Sequence, residues 1–589
     1  MVKRWLVTTA VESTWPAADV SILFLGEWCR RYGRRTAWAD RDAEVLPYHW
    51  DDRTRFEQDY ARVQLVYELL LAELAAQLNE AHGVAHSPRY WRIVVGPWLG
   101  FFVQMLFDRW ACITAAAADP RVEGATTLGG DATHLIPEDF DDFCALFGSD
   151  AWNEHLYARL LREETSIPCT ELPRPEVAPV VRGPEPHVPL AARLRRLAID
   201  VASRGAAVLQ RDRDVALHRT YLPLRDEFRL HRLLGQVPQY ALPLPLPRSR
   251  VQPSRRAWQL AAQAEDPFAR VAGRFIAAQL PRRYLEGYAA LVAAAERAPW
   301  PTRPRVIFTS NALYGDERFK VWAAARVDRG ARFVVGQHGG HYGIGRIIYS
   351  EDHEVAVADC FLSWGWESAE RPSIRRTGQL KRCRPLGVDH GAQRDALMIT
   401  CGFPRYSYWM YSVPAGPQYL RYLEDQVRFH RALTPATRAR VAIRLYGPDA
   451  GPDGWEQAER MCDALPDARF TPAGMPIEAL LRQSRLVIST YNATTFLETF
   501  TQDIPTVMFW NPEHWELRAS ALPYFDALAR AGVFHTSPED AARHLDAIWD
   551  DVEGWWRSAD VRAAVSAFCA QYSFLPDDLV ERVARELSS

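Results

Sequence analysis

The ten residues ARFVVGQHGG, 331–340, set a run of strand-forming side chains directly ahead of a glycine-rich turn. Residues 331–335 read as a buried strand, because apolar and β-branched residues follow one another without polar alternation. The turn carries Gln337, His338, Gly339 and Gly340. In an α/β protein the carboxyl end of a strand is where backbone approaches a ligand, and glycine permits the approach. A histidine there also serves as a turn residue bonded to backbone. The surrounding sequence has to decide between them.

Outward from this point the same punctuation repeats. Residues 305–309 (RVIFT) read as a strand, 316–329 as a helix, and 360–364 as a further strand ending at Gly365. Strand, helix and strand in alternation indicate a parallel sheet. The pattern restarts with strands at 396–400, 441–446 and 485–489, a helix at 494–502 and a strand at 504–509. The reading is α/β, with two doubly wound Rossmann-like units joined near 385–395, one over 1–390 and one with terminal helices over 391–589. Two such units leave a cleft between them, beyond the carboxyl ends of their strands.

The first unit opens with strand-like runs at 5–9 and 21–25, then carries a helical, proline-rich insertion at about 55–300. Val63, Val66, Tyr67, Leu70 and Leu74 recur at helical spacing within 53–81, and a second helical stretch covers 98–117. The run 167–190 holds seven prolines and reads as irregular, as does ALPLPLP from 241. The most apolar window, IVVGPWLGFFVQMLF at 93–107, is interrupted by Gly96, Pro97 and Gly100. It falls short of the roughly 20 residues that span a bilayer, and reads as a short strand leading into a buried helix.

Composition narrows the function. The 589 residues include 70 basic and 73 acidic side chains, a net charge of −3, which leaves no basic footprint for nucleic acid. The nine cysteines show no CxxC pair, so a reducing compartment is expected and structural zinc is not. The opening MVKRWLVTTAVESTWP has no apolar run suited to a signal peptide. A cytoplasmic protein is expected, with contact to the inner face of the membrane left open. Of the 21 tryptophans, Trp28, Trp98, Trp364, Trp366, Trp510 and Trp515 lie beside charged or turn residues. They read either as stacking platforms for sugars or as fillers of a large core.

Three constellations carry chemistry. In STYNATTFLET, 489–499, a strand ends in Ser489, Thr490 and Asn492, and a helix begins near Thr494. Free amides and the dipole at a helix start suit a phosphate, Thr494 and Thr495 add hydroxyls, and Glu498 is one turn further, within reach of a ribose. A plain helix cap is compatible with that role. The second is the opening turn with SNALYGD, 310–316, which ends the preceding strand. Asp316 and His338 are then candidates for base or nucleophile, with Asp316 as a helix cap the alternative. His338, His341 and His353 lack a familiar ligand spacing, so no metal and no cofactor is assigned. The third is NPEHWELR, 511–518, where His514 and Glu516 follow a strand as donor contacts or as part of a solvated loop. Glu27, Trp28 and Asp51 form a weaker acceptor-side group, or an ordinary surface loop.

The segments TTAVESTWP, ILFLGEWC, RYWRIVVGPWL, GQHGGHYG, FLSWGW and STYNATTFLETFTQDIPTVMFWNPEHWELR together resemble a family of bacterial transferases associated with surface-carbohydrate loci. The QHG turn and the later hydroxyl-rich strand end are also similar to GT-B sugar transferases, and among these to capsular Kdo transferases, which use a CMP-sugar. That resemblance implies donor binding by Thr494, Thr495 and Glu498, with Asp316 and His338 near the reacting carbon and no bound metal. It implies a nucleotide-sugar donor bound by the 391–589 unit and a glycan or lipid-linked acceptor on the side of the 1–390 unit. A non-catalytic glycan-assembly protein and a nucleotide-sugar epimerase are the rival readings.

Overall fold

The computed structural model describes residues 2–175, 205, 209–239, 246–381, 394–446 and 454–588. The prolines at 179–189, residues 241–245 of ALPLPLP and most of the expected junction near 385–395 lie outside them. Three parallel sheets organise the chain. The third holds β11 (Asp395–Ile399), β12 (Val441–Arg444), β13 (Arg469–Phe470), β14 (Ser484–Ser489), β15 (Thr506–Phe509) and β16 (Phe534–His535), in the order 13-12-11-14-15-16. That is the doubly wound order of a Rossmann unit, with the winding reversing between β11 and β14. Their register pairs Leu397 with Val487 and Ile399 with Ser489, which sets the two carboxyl ends side by side.

The second sheet holds β6 (Ala216–Leu217), β7 (Val306–Thr309), β8 (Arg332–Gly336), β9 (Cys360–Ser363) and β10 (Ile374–Arg376) in consecutive order. Val306 to Thr309 are buried throughout, as an unalternating apolar strand requires. The helix Leu579–Ser588 returns to this sheet. Leu579, Val580, Val583 and Leu587 share one helix face and pack with Val306, Val334, Cys360 and Leu362. The last helix therefore departs from the 391–589 unit in which the terminal helices were expected.

The region before residue 175 differs from the expectation of an inserted helical segment. It forms a sheet of its own, β1 (Arg4–Val7), β2 (Ile22–Phe24), β3 (Ala43–Val45), β4 (Val122–Gly129) and β5 (Cys169–Pro173), ordered 3-2-1-4-5. Two of its strands come from within the supposed insertion. The sequence of β4, VEGATTLG, is short of large apolar residues, and β5 lies in the proline-rich run read as irregular. Proline is tolerated there because β5 is an edge strand. The strand expected at the start of the 93–107 window is instead the end of the helix Pro88–Val94, followed by the buried helix Gly96–Ala117. No described helix is long and apolar enough to cross a membrane.

The tryptophans fill the core. Trp28, Trp98, Trp364, Trp366, Trp510 and Trp515 are all 3% exposed or less, which removes the stacking-platform reading for each.

Candidate active site

The two motifs legible in the sequence meet. The turn after β8 rests on the start of the helix Thr494–Thr501, which follows β14. The Gly340 amide donates to Thr494 Oγ1 at 3.1 Å. A Cβ on Gly340 would lie 2.5 Å from Thr494 Cα and 2.7 Å from the Ala493 carbonyl, so here glycine admits another backbone rather than a ligand. Gly340→Ala is accordingly expected to cost about 1–3 kcal/mol by overpacking. On Gly339 the same carbon meets only the side chains of His341 and Tyr342, at 3.0 and 3.1 Å. Chemical denaturation should therefore show a smaller loss for Gly339→Ala, and equal losses would count against the docking.

Gln337 does not face the cleft. Its carboxamide oxygen accepts from the Trp364 amide at 2.9 Å and Trp366 Nε1 at 2.8 Å, while its nitrogen donates to Gly339 O at 2.7 Å. It is wholly buried, and it ties the QHGG turn to FLSWGW beyond β9. Donor contact was expected of Gln337, and the structure makes it an internal brace. The reason is its satisfied inventory: three hydrogen bonds leave little for a ligand.

His338 is different. Its side chain is 22% exposed, and Nδ1 lies 3.4 Å from Glu354 Oε1. Glu354, on the helix Tyr349–Val357, is fully buried and accepts from Tyr314 Oη and Tyr342 Oη, each at 2.9 Å. Burial works to lower the basicity of His338, but Glu354 and a backbone hydrogen bond to Ser310 outweigh it and hold the pKa above the ordinary histidine value. The neighbouring His341 has no such partner and falls to about 3, chiefly through burial. The rings of Tyr221, Tyr314 and Tyr342 surround His338 at 5.4 to 6.3 Å.

Asp316 caps the helix Glu317–Val327, accepting from the Phe319 amide at 3.1 Å, and pairs with His218 Nε2 at 2.8 Å. Burial pushes its carboxyl up, but His218, the Phe319 amide and Arg219 prevail and keep it below the usual range. It lines a cavity of about 490 Å³ with Asp141, Asp142, Arg219 and Arg248. Arg219 and Tyr221 have φ of 48° and 67°, left-handed backbone that non-glycine residues adopt at some cost. They bracket Thr220, whose carbonyl accepts from Ser310 Oγ at 2.9 Å.

On the third sheet, Ser489 and Thr490 are buried, and Thr490 Oγ1 donates to Ile399 O at 2.8 Å across the winding reversal. Asn492 is 2% exposed and its Oδ1 has no hydrogen-bond partner among the described residues. Thr495 shares a hydrogen bond of 2.7 Å with Tyr491, and Glu498 accepts from Lys381 at 2.6 Å. His514 is buried and neutral, with burial lowering it to about 4. Glu516 grips Arg53 at 2.6 and 3.0 Å, so its carboxylate joins the two halves instead of facing a donor. The segment 511–518 is not the solvated loop of the alternative reading: Leu517 bridges to Gly345, and Arg518 pairs with buried Glu351 at 2.7 Å.

The acceptor-side group does not assemble. Trp28 is 1% exposed and stacks on Tyr157, while Glu27 pairs with Arg30 at 2.9 Å. Asp51 faces Gln418 and Arg421, at 3.3 and 3.7 Å. The metal-type donors that converge among the described residues are His49, Asp108 and Cys112. Different nitrogens of His49 face the other two, and Asp108 is already held by Tyr48 and Arg109 at 2.7 Å. Those three side chains read as a buried polar knot. Sequence reasoning missed Glu354, His218, Tyr221 and Lys381. Glu354 had one available signal, an acid in the helix directly behind the QHGG turn.

Fold and site together define a doubly wound α/β protein in which a Rossmann sheet and a second parallel sheet meet at the contact of Gly340 with Thr494. The chain belongs to the LIC12162 family of transferases, whose sequence pattern matches residues 4–587. No curated protein sequence matches it. Among solved structures it is similar to MurG of Acinetobacter baumannii, with a TM-score of 0.30 and 11% identity over 79% of this chain and 98% of that one. The wall teichoic acid polymerase TagF gives 0.28 and 8%, over 67% and 95% of the two chains. WaaG, a glycosyltransferase involved in lipopolysaccharide biosynthesis, gives 0.27 and 13%, over 64% and 100%.

Proposed function

We propose that this transferase is a glycosyltransferase of GT-B type, moving a sugar from a nucleotide-activated donor to a cell-surface glycan or its precursor. The observation that carries the reading is the junction itself: a helix start beyond β14, at the winding reversal, facing a histidine turn on the second sheet. The donor phosphates lie against the amides at 493–495, with Thr495 and Asn492 beside them and Glu498 toward the ribose. His338 faces the reacting end. Asp316 is the candidate for the base, in its own polar cavity. A CMP-ulosonic acid is the first donor to test, on the short-motif resemblance to capsular Kdo transferases. The acceptor, a glycan or a lipid-linked precursor, is met at the inner face of the membrane by a cytoplasmic enzyme.

Calorimetry with CMP, UDP, GDP and dTDP tests the donor side. Thr495→Val is expected to weaken the nucleotide that binds about tenfold, the worth of one lost hydrogen bond to a charged group. Thr494→Val should weaken it as much and also loosen the Gly340 contact, visible as a lower Tm. Unchanged affinity in both variants would remove the nucleotide from this helix start. Nucleotide release from the donor without acceptor separates the enzyme from a pure binding protein, and conversion of the sugar without release would indicate an epimerase.

A further inference from the structure

Behind His338 lies a carboxylate that the transfer chemistry described so far does not use. Glu354 is 0% exposed, accepts from two tyrosine hydroxyls at Oε1, and leaves Oε2 buried with no hydrogen-bond partner among the described residues. An ionised carboxylate so placed needs a countercharge, since burial of an unpaired charge is costly. The groups that face His338 are Glu354, Tyr314 and Tyr342, with Tyr221 and His341 at the sides. None of them besides His338 carries positive charge: His341 is neutral, and the tyrosines are donors to, or neighbours of, the pair. The imidazole is thus the cation that completes the site. Its Nδ1 is buried beside Glu354, while the side chain as a whole is 22% exposed, in the turn whose Gly340 rests on the helix start at Thr494.

We propose that Glu354 is a positioning residue whose buried carboxylate holds His338 as an imidazolium, with the Nε2 proton directed at the phosphate oxygen that leaves the donor sugar. This rests on the glycosyltransferase reading. In the step itself the acceptor oxygen bonds to the anomeric carbon as the bond from that carbon to the phosphate oxygen breaks. The electron pair goes to the phosphate oxygen, which takes the Nε2 proton of His338. The proton of the acceptor hydroxyl goes to a carboxylate base, for which Asp316 is the candidate, because a ring already carrying both protons accepts none. Turnover should therefore be lost on the alkaline side, as pH rises through the His338 pKa. The pair's contribution to stability follows the same sign: present when His338 is protonated, and lost as pH rises through its raised folded-state value.

The test is a histidine-selective ¹³C NMR titration of the full chain, with the His338 signal identified by its loss in His338→Gln. Wild-type His338 is expected to titrate above the ordinary 6.5, and Glu354→Gln to lower it by about one unit or more. With a nucleotide-sugar that is turned over, Glu354→Gln should shift the alkaline limb of the rate profile to lower pH in step, while donor affinity stays within about twofold. Identical titrations in both proteins would overturn the proposal. So would a wild-type value at or below 6.5, which needs no variant to fold. A shifted titration without nucleotide release from any CMP, UDP, GDP or dTDP sugar would instead overturn the glycosyltransferase reading, and the proton transfer with it.

Discussion

His338→Ala is expected to lower turnover by about 10²-fold or more, the usual loss when a positioned acid is removed. Nucleotide affinity should change far less, because the amides at the start of Thr494–Thr501 lie on the other sheet and do not depend on the imidazole. Removing His338 also strands Glu354, which pairs with no other cation among the described residues, so a modest fall in Tm should accompany the loss. Glutamine at 338 separates the two effects: its amide offers Glu354 a hydrogen-bond donor without supplying a transferable proton. Single-turnover nucleotide release is the measurement. A rate within threefold of wild type in His338→Ala would return this histidine to a turn residue without chemistry. Asp316→Asn is the companion experiment. Asparagine is as good a helix cap as aspartate, so a purely capping residue should tolerate the change with little loss of rate. A loss as large as that of His338→Ala would place Asp316 at the reaction as the base.

The largest effect on stability is expected from Arg518→Met. Arg518 reaches Glu351 at 2.7 Å, and Glu351 is 0% exposed, with Gly343 N donating to its second oxygen at 2.7 Å. Arg371, at 3.8 Å, is the remaining cation among the described residues. Taking one partner from a buried pair leaves an uncompensated charge, which typically costs about 3–5 kcal/mol. The pH dependence identifies the cause. Burial already raises the Glu351 carboxyl against the pull of Arg518, and the variant loses that pull. A carboxyl raised in the folded state keeps a proton that the unfolded chain has released, so stability falls as pH rises toward the folded-state value. Urea unfolding should thus show a larger loss at pH 8 than at pH 5. Adding Glu351→Gln should recover much of it. Equal losses at both pH values, with no recovery, would place the cost in the contact of Arg518 with Gly345 O and the Trp366 ring instead.

Sequence alone determined the strands that are buried on both faces. RVIFT, ARFVV and RLVIS carry their signal locally, in unbroken apolar runs, and each lies within a residue or so of the observed strand. It also located both strand-end turns, since glycine and hydroxyl residues after such a run have a local cause. Two strands of the first sheet were not legible, because the inner strand β4 and the edge strand β5 are held by pairing with strands distant in the chain. Only the tertiary structure decided what each polar residue does. Gln337, Glu516 and Trp28 look like ligand contacts in a linear reading, and all three are consumed by partners up to hundreds of residues away. Glu354 is the converse: an acid indistinguishable in sequence from a solvated one, until the fold buries it behind His338. Burial and partner choice are properties of the packed chain, and they set whether a side chain braces the fold or carries chemistry.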